Sequence, residues 1–177
     1  MTMQDMKKLT NLYVERAEIY YELKEYDKCK EDLTKSISLN GAFNPNVFFL
    51  LAISHRISGN FELALEIINN LIIILENPLP KYFIERGITY YKLEEYHLAI
   101  MDFLRGSIQL MKNPEATRML ALCYEKLGDI DETMKNMILA AKQGDIVAQE
   151  YMQRQVMCGD NEDNVFFYQQ DKMDIPN

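Results

Sequence analysis

Small and large apolar positions along this chain recur with one spacing. Small residues stand at Ala17, Ala52, Gly87 and Ala121, separated by steps of 35, 35 and 34 residues. Each is followed by an aromatic residue or His, at Tyr20, His55, Tyr90 and Tyr124, and then by a bulky one, at Tyr26, Phe61, Tyr96 and Ile130. A second short side chain comes next, at Cys29, Ala64, Ala99 and Thr133, and a large apolar one closes the series at Leu33, Ile68, Phe103 and Met137. The first and third copies agree almost residue for residue: Glu15-Arg16, Tyr20-Tyr21 and Glu25-Tyr26 answer to Glu85-Arg86, Tyr90-Tyr91 and Glu95-Tyr96. Self-similarity at a fixed period of this length marks a stacked-repeat architecture.

These residue types predict two antiparallel helices per repeat. Helices that cross closely need a small side chain on each at the crossing, with large ones filling the space on either side. The first helix supplies Ala17 and its equivalents, the second Cys29 and its equivalents. Pro45, Pro80 and Pro114 fall where a first helix should begin, a position that has no use for the missing N–H. Asn44 and Asn113 precede two of them as N-caps. Gly59-Asn60 and Gly128-Asp129 form the turn inside repeats 2 and 4, whereas repeats 1 and 3 place Lys24-Glu25 and Glu94-Glu95 there. Asp145 is expected to cap a last helix running to about Met157, with Val147, Ala148, Tyr151, Met152 and Val156 on one stripe that closes the stack. The expectation is nine helices and no sheet. Arg16 and Arg86, beside the small slot, face Asp32 and Asp102 at matching places on the second helices, which predicts an ion pair within repeats 1 and 3. Two departures stand out. Thr117 replaces the aromatic residue found at Tyr13, Phe48 and Phe83, and one extra residue after Phe103 puts Gly106-Ser107 in the second helix of repeat 3 as a distortion.

Over residues 10 to 147 this order of small, aromatic, bulky, small and apolar positions resembles the tetratricopeptide repeat family. The resemblance implies an all-α fold, a right-handed α-solenoid of four helix hairpins with a C-terminal capping helix. It divides the chain into a lead-in at 1–9, the repeat domain at 10–157 and an acidic tail at 158–177. It also implies that the first helices line a concave groove that holds a peptide. Carried onto this sequence, the groove is lined by Val14 and Glu18 in repeat 1, by Phe49, Leu50, Ile53 and Ile57 in repeat 2, by Ile84, Ile88 and Tyr91 in repeat 3, and by Arg118, Met119 and Leu122 in repeat 4. The middle of this lining is apolar and its ends are charged, which suits an amphipathic segment oriented by charge. Family members that clamp the acidic C-terminal tail of heat-shock chaperones use Lys, Asn and Arg at positions that read Val14, Glu18, Leu50, Lys81 and Glu85 here. Only Lys81 fits, and the two acids repel carboxylates, so that partner is excluded.

Composition narrows the remaining classes. With 48% hydrophobic and 26% charged residues the 177-residue chain reads as globular, and seven Gly with five Pro suit long helices with few breaks. A net charge of −8 argues against a nucleic-acid surface and against docking on anionic lipid, so neither nucleic acid nor membrane is an expected partner. Three cysteines, Cys29, Cys123 and Cys158, suggest neither a disulfide framework nor a metal site. Met1 to Leu9 lacks the apolar core of a secretory signal, and no apolar run approaches the length of a membrane span. A reducing, cytoplasmic setting follows as the expectation.

No catalytic constellation emerges. His55 occupies an aromatic packing slot and His97 a surface position, Cys29 reads as core, and there is no phosphate loop or nucleophile elbow. The chain is expected to be no enzyme and to use no cofactor. Its expected role is an adaptor or scaffold binding another protein or peptide. Two alternatives share the fold: a chaperone for secreted apolar proteins, and a structural protein that self-associates as a homo-oligomer. The tail carries Asp160, Glu162, Asp163, Asp171 and Asp174 around the apolar run Val165–Tyr168, which is expected to pack back on the domain or to dock elsewhere.

Overall fold

Each first helix begins where proline or a capping side chain sets it. The computed structural model describes residues 2–40, 43–106 and 112–158. Within them lie nine helices and no strand: α1 (Met3–Glu22), α2 (Tyr26–Asn40), α3 (Pro45–Ile57), α4 (Phe61–Ile74), α5 (Pro80–Lys92), α6 (Tyr96–Arg105), α7 (Pro114–Leu127), α8 (Ile130–Lys142) and α9 (Ile146–Cys158). The three prolines are the first residues of α3, α5 and α7. Asn44 accepts from the Asn46 N–H, and Asn113 from the Ala116 N–H, each at 3.0 Å. Asp145 caps α9 through the Ala148 N–H at 2.8 Å. Helix α1 starts at Met3, so the stretch expected as a lead-in is two further turns of that helix. A capping box between Thr2 and Asp5 begins it.

Successive helices pair as antiparallel hairpins, α1 with α2, α3 with α4, α5 with α6 and α7 with α8, and α9 packs on α8. The small slots meet as expected. Ala17 and Cys29 are fully buried together, as are Ala52 and Ala64, Gly87 and Ala99, and Ala121 and Thr133. A Cβ on Gly87 would sit 3.0 Å from the Phe103 ring, so the third crossing leaves little room for an alanine. Leu33, Ile68, Phe103 and Met137 fill the centre of their hairpins.

All four hairpin turns use the same device. Lys24, Gly59, Glu94 and Gly128 adopt left-handed backbone with φ of 60°, 81°, 63° and 80°, and Gly144 repeats it before α9 at 96°. The next N–H then reaches back to the aromatic-slot carbonyl: Glu25 to Tyr20, Asn60 to His55, Glu95 to Tyr90 and Asp129 to Tyr124, at 2.8 to 3.0 Å. This closes the last turn of each first helix in the manner of a Schellman motif.

Repeat 3 departs, but not through the insertion expected after Phe103: its step from Gly87 to Ala121 is 34 residues against 35 in repeats 1 and 2, one fewer rather than one more. Helix α6 ends at Arg105, shorter than the other second helices, and Gly106 caps it. Ser107 and the acidic tail, with its Val165–Tyr168 run, lie outside the described residues, as does the side chain of Cys158.

Candidate functional site

Along the stack α3 touches α5 and α5 touches α7, an approach closer than successive second helices make. The first helices therefore form the inner face, where the groove was expected. The twelve residues read from the sequence divide into four groups there.

Glu18 and Ile57 are exposed. Val14, Leu50, Ile53, Tyr91 and Leu122 are half-buried and flank them. Phe49 is half-buried but engaged: its ring meets Tyr82 edge-on at 5.1 Å, and the Lys81 ammonium sits 4.7 Å above it.

Ile84, Ile88 and Met119 correct the sequence reading. All three are buried in one core cluster with Ala99, Phe103, Leu120 and Cys123 between α5, α6 and α7. The cause is local. Helix α6 ends early, and Gly106 lies so close to Ile84 that a Cβ there would stand 2.5 Å from the Ile84 Cδ1. The equivalent positions in repeats 1 and 2, Val14 and Phe49, keep partial exposure.

Arg118 is committed to structure. Its Nε donates to Asp145 at 3.1 Å, so one carboxylate both caps α9 and anchors it to α7. The Tyr151 hydroxyl adds a second tie, donating to Glu125 at 3.3 Å.

Sequence reasoning missed the strongest electrostatic feature of this face. Arg56 on α3 clasps Glu85 on α5, Nε to Oε1 in a very short contact and Nη2 to Oε2 at 3.5 Å. Both side chains are nearly buried. Burial pushes the Glu85 carboxyl above its usual range, Arg56 pulls it down, and Glu115 adds a small upward push. Tyr21 lies near the pair, and burial raises its hydroxyl as well. The signal was present as two opposite charges on facing first helices, one repeat apart, but side-chain direction decides whether such residues meet. Lys81, the one residue matching a carboxylate clamp, is likewise occupied: it reaches Asn46 Oδ1 at 3.4 Å and lies over Phe49 and Tyr82.

What remains open on the inner face is a short apolar strip, Ile53 and Ile57. Glu18 and Glu22 lie exposed on the α1 side, and Lys92 and Lys126 on the α5 and α7 side. Among the described residues no cluster of His, Cys, Asp and Glu is placed to hold a metal ion, and no helix is long and apolar enough to cross a membrane. Cys29 and Cys123 are buried free thiols; burial pushes Cys123 up to about 12, and it raises Cys29 too.

Comparison with known proteins agrees with this architecture. Residues 10–43 match the family model of the tetratricopeptide repeat. The fold as a whole is similar to solved tetratricopeptide-repeat structures. One is MamA from Desulfovibrio magneticus RS-1, residues 41 to the end, with 14% identity, 97% of this chain and 96% of that chain covered, and a TM-score of 0.73. Another is YrrB, described as a TPR protein with an unusual peptide-binding site, with 15% identity, 82% and 74% covered, and a TM-score of 0.67. A MamA structure designated MSR-1 C2 gives 18% identity, 76% of each chain covered and a TM-score of 0.64. No curated protein matches the sequence. Residues 10–43 thus match a tetratricopeptide repeat, and the helical-repeat solenoid is the fold shared with these structures.

Proposed function

We propose that this protein is an adaptor that holds a polypeptide segment of a partner on the inner face of its first helices. One observation carries the reading: Ile53 and Ile57 stay partly open on α3, between the acids of α1 and the lysines of α5 and α7. Val14, Leu50, Tyr91 and Leu122 extend that strip. An apolar segment gains by covering it, and charge at its two ends sets its direction. The partner segment is accordingly amphipathic, basic where it passes Glu18 and Glu22 and acidic where it meets Lys92 and Lys126. Two buried free thiols suit a reducing, cytoplasmic setting.

The test is selection of binding peptides from a displayed library against the full chain, followed by titration of the doubly substituted protein Ile53→Asp, Ile57→Asp. Loss of binding with unchanged helicity by circular dichroism is expected. Selected peptides that bind the variant as tightly as the parent would place the site elsewhere.

A further inference from the structure

Repeats 2 to 4 bury the back of their first helix against the preceding hairpin. The buried positions are equivalent: Val47, Tyr82 and Ala116, and two turns later Ser54, Thr89 and Cys123. In repeat 1 the same two positions are Leu12 and Ile19, which are 52% and 58% exposed. Leu9, Leu12, Arg16, Ile19 and Leu23 follow one another at alternating steps of three and four, the spacing of a coiled-coil seam. Around them runs a shallow groove of about 420 Å³. The other end of the stack differs. On α9, Gln153 replaces the small slot residue and is exposed with Arg154 and Gln155, while Ile146 and Val147 stay exposed in its first turn. A terminal repeat ordinarily carries a polar outer face, and the α1 face is apolar instead.

We propose that a second copy of this chain covers the α1 face, the two α1 helices packing antiparallel across a twofold axis. Charge order along α1 selects this occupant. Its first half carries Lys7 and Lys8 after the capping Asp5, and its second half Glu15, Glu18 and Glu22, all exposed. That order puts acids at the C-terminal end of α1, where the helix macrodipole favours bases. An antiparallel copy offsets it, placing Lys8 beside the partner's Glu22 and Leu9 on the partner's Ile19. A parallel copy would set like charge on like. Head-to-tail stacking would leave one apolar α1 face uncovered at the end of every assembly, whereas the twofold pairing is self-complementary and closes. Arg16, in the middle of the seam, brings no bare charge into it. Asp32 holds it with two hydrogen bonds, and its guanidinium lies 5.4 Å and 5.8 Å from the Tyr13 and Tyr20 ring centres.

The test is the solution mass of the full chain at tens of micromolar, by size exclusion with light scattering. Twice the chain mass of 20.8 kDa is expected, and a monomer overturns the proposal. The double substitution Leu12→Asp, Ile19→Asp should raise the dimer dissociation constant by on the order of 100-fold with helicity unchanged, because it drives two charges into the seam. The control Leu98→Asp, Met101→Asp, on the exposed face of α6, should leave the dimer intact. A dimer that survives the first pair, or falls equally to the control, overturns the assignment of the face. Lys8→Glu should weaken the dimer, and adding Glu22→Lys should restore it. Failure to restore refutes the antiparallel arrangement.

Discussion

Arg86 grips Asp102 with two parallel hydrogen bonds, Nε to Oδ2 at 2.6 Å and Nη2 to Oδ1 at 2.8 Å, and Arg16 grips Asp32 at the same two distances. The pairs differ in burial. The Arg86 side chain is 14% exposed and the Arg16 side chain 53%, while both aspartates are buried. Arg86 also donates to Asn69 on α4 at 2.7 Å and so links repeats 2 and 3. Removing Asp102 strands a guanidinium away from water, whereas Arg16 can rehydrate. Asp102→Ala should therefore cost about 3 kcal/mol, the range for a broken buried pair. Asp32→Ala should cost less. Urea unfolding of the two variants checks the order, and an equal or larger loss at Asp32 contradicts it.

The left-handed turn residues give a second comparison. Lys24 and Glu94 adopt the conformation that Gly59 and Gly128 adopt, but with a Cβ that makes it strained. Space is not the issue, since a Cβ at Gly59 or Gly128 would meet nothing within 4 Å. Glycine at Lys24 or Glu94 should be neutral or stabilising by up to about 1 kcal/mol, as backbone strain is relieved against added chain entropy. Alanine at Gly59 or Gly128 should destabilise by about 1 kcal/mol. Thermal melts of the four single variants provide the check. Stabilisation by either alanine would show that the turns tolerate the side chain.

The fold was legible in the sequence because it is written four times. A small residue at Ala17 alone says little; the same residue type in phase at Ala52, Gly87 and Ala121 fixes the helix crossing, and the prolines fix where helices start. The Arg–Asp ties were legible for the same reason, being present together in repeats 1 and 3 and absent together in repeats 2 and 4. The candidate site was less legible. Periodicity says which positions face inward along one helix, but not what a neighbouring segment lays over them. Ile84 is covered because α6 ends at Gly106, which lies against it. Arg56 and Glu85 meet because α3 and α5 approach in a way that no single-repeat pattern encodes.

That cover can be tested directly. Gly106→Ala places a methyl group 2.5 Å from Ile84 Cδ1 and 3.1 Å from the Pro80 carbonyl, so side chain or backbone must move. The expected loss is about 1–3 kcal/mol, as for other overpacked sites. Ile84→Val removes one of the clashing carbons. Combined with Gly106→Ala it should cost less than the sum of the two single changes. Strict additivity in the double-mutant cycle would mean that the residues do not press on each other.

Glu85 makes the stability of the inner face depend on pH. Its raised folded-state pKa means that the native protein binds this proton more tightly than the unfolded chain does. Stability contributed at this site therefore grows as pH falls from the raised value toward the ordinary carboxylate range, and is lost as pH climbs back. Glu85→Gln removes the titration. Between neutral pH and about pH 5, above the usual carboxylate range, the stability difference between parent and variant should shift in favour of the parent as acid is added. A difference that stays flat would show that Arg56 holds Glu85 ionised throughout.

The same pair bears on which partners the inner face refuses. A clamp for an acidic chaperone tail needs free cations where first helices converge. Here Arg56 is neutralised by Glu85, Arg118 is held by Asp145, and Lys81 is drawn onto Phe49, Tyr82 and Asn46. Glu18 stands exposed where such a clamp presents an uncharged or basic group. A peptide ending in consecutive acids would have to break an ion pair to gain either arginine, and the carboxylate left behind repels it. Calorimetric titration should show no binding at micromolar affinity, about −8 kcal/mol. Releasing the cation should change the outcome. Glu85→Gln frees Arg56 and removes one repelling charge, so an acidic peptide should bind this variant more tightly than the parent. Tight binding by the parent itself, or no gain in the variant, would show that Glu85 does not control access of anions to this face.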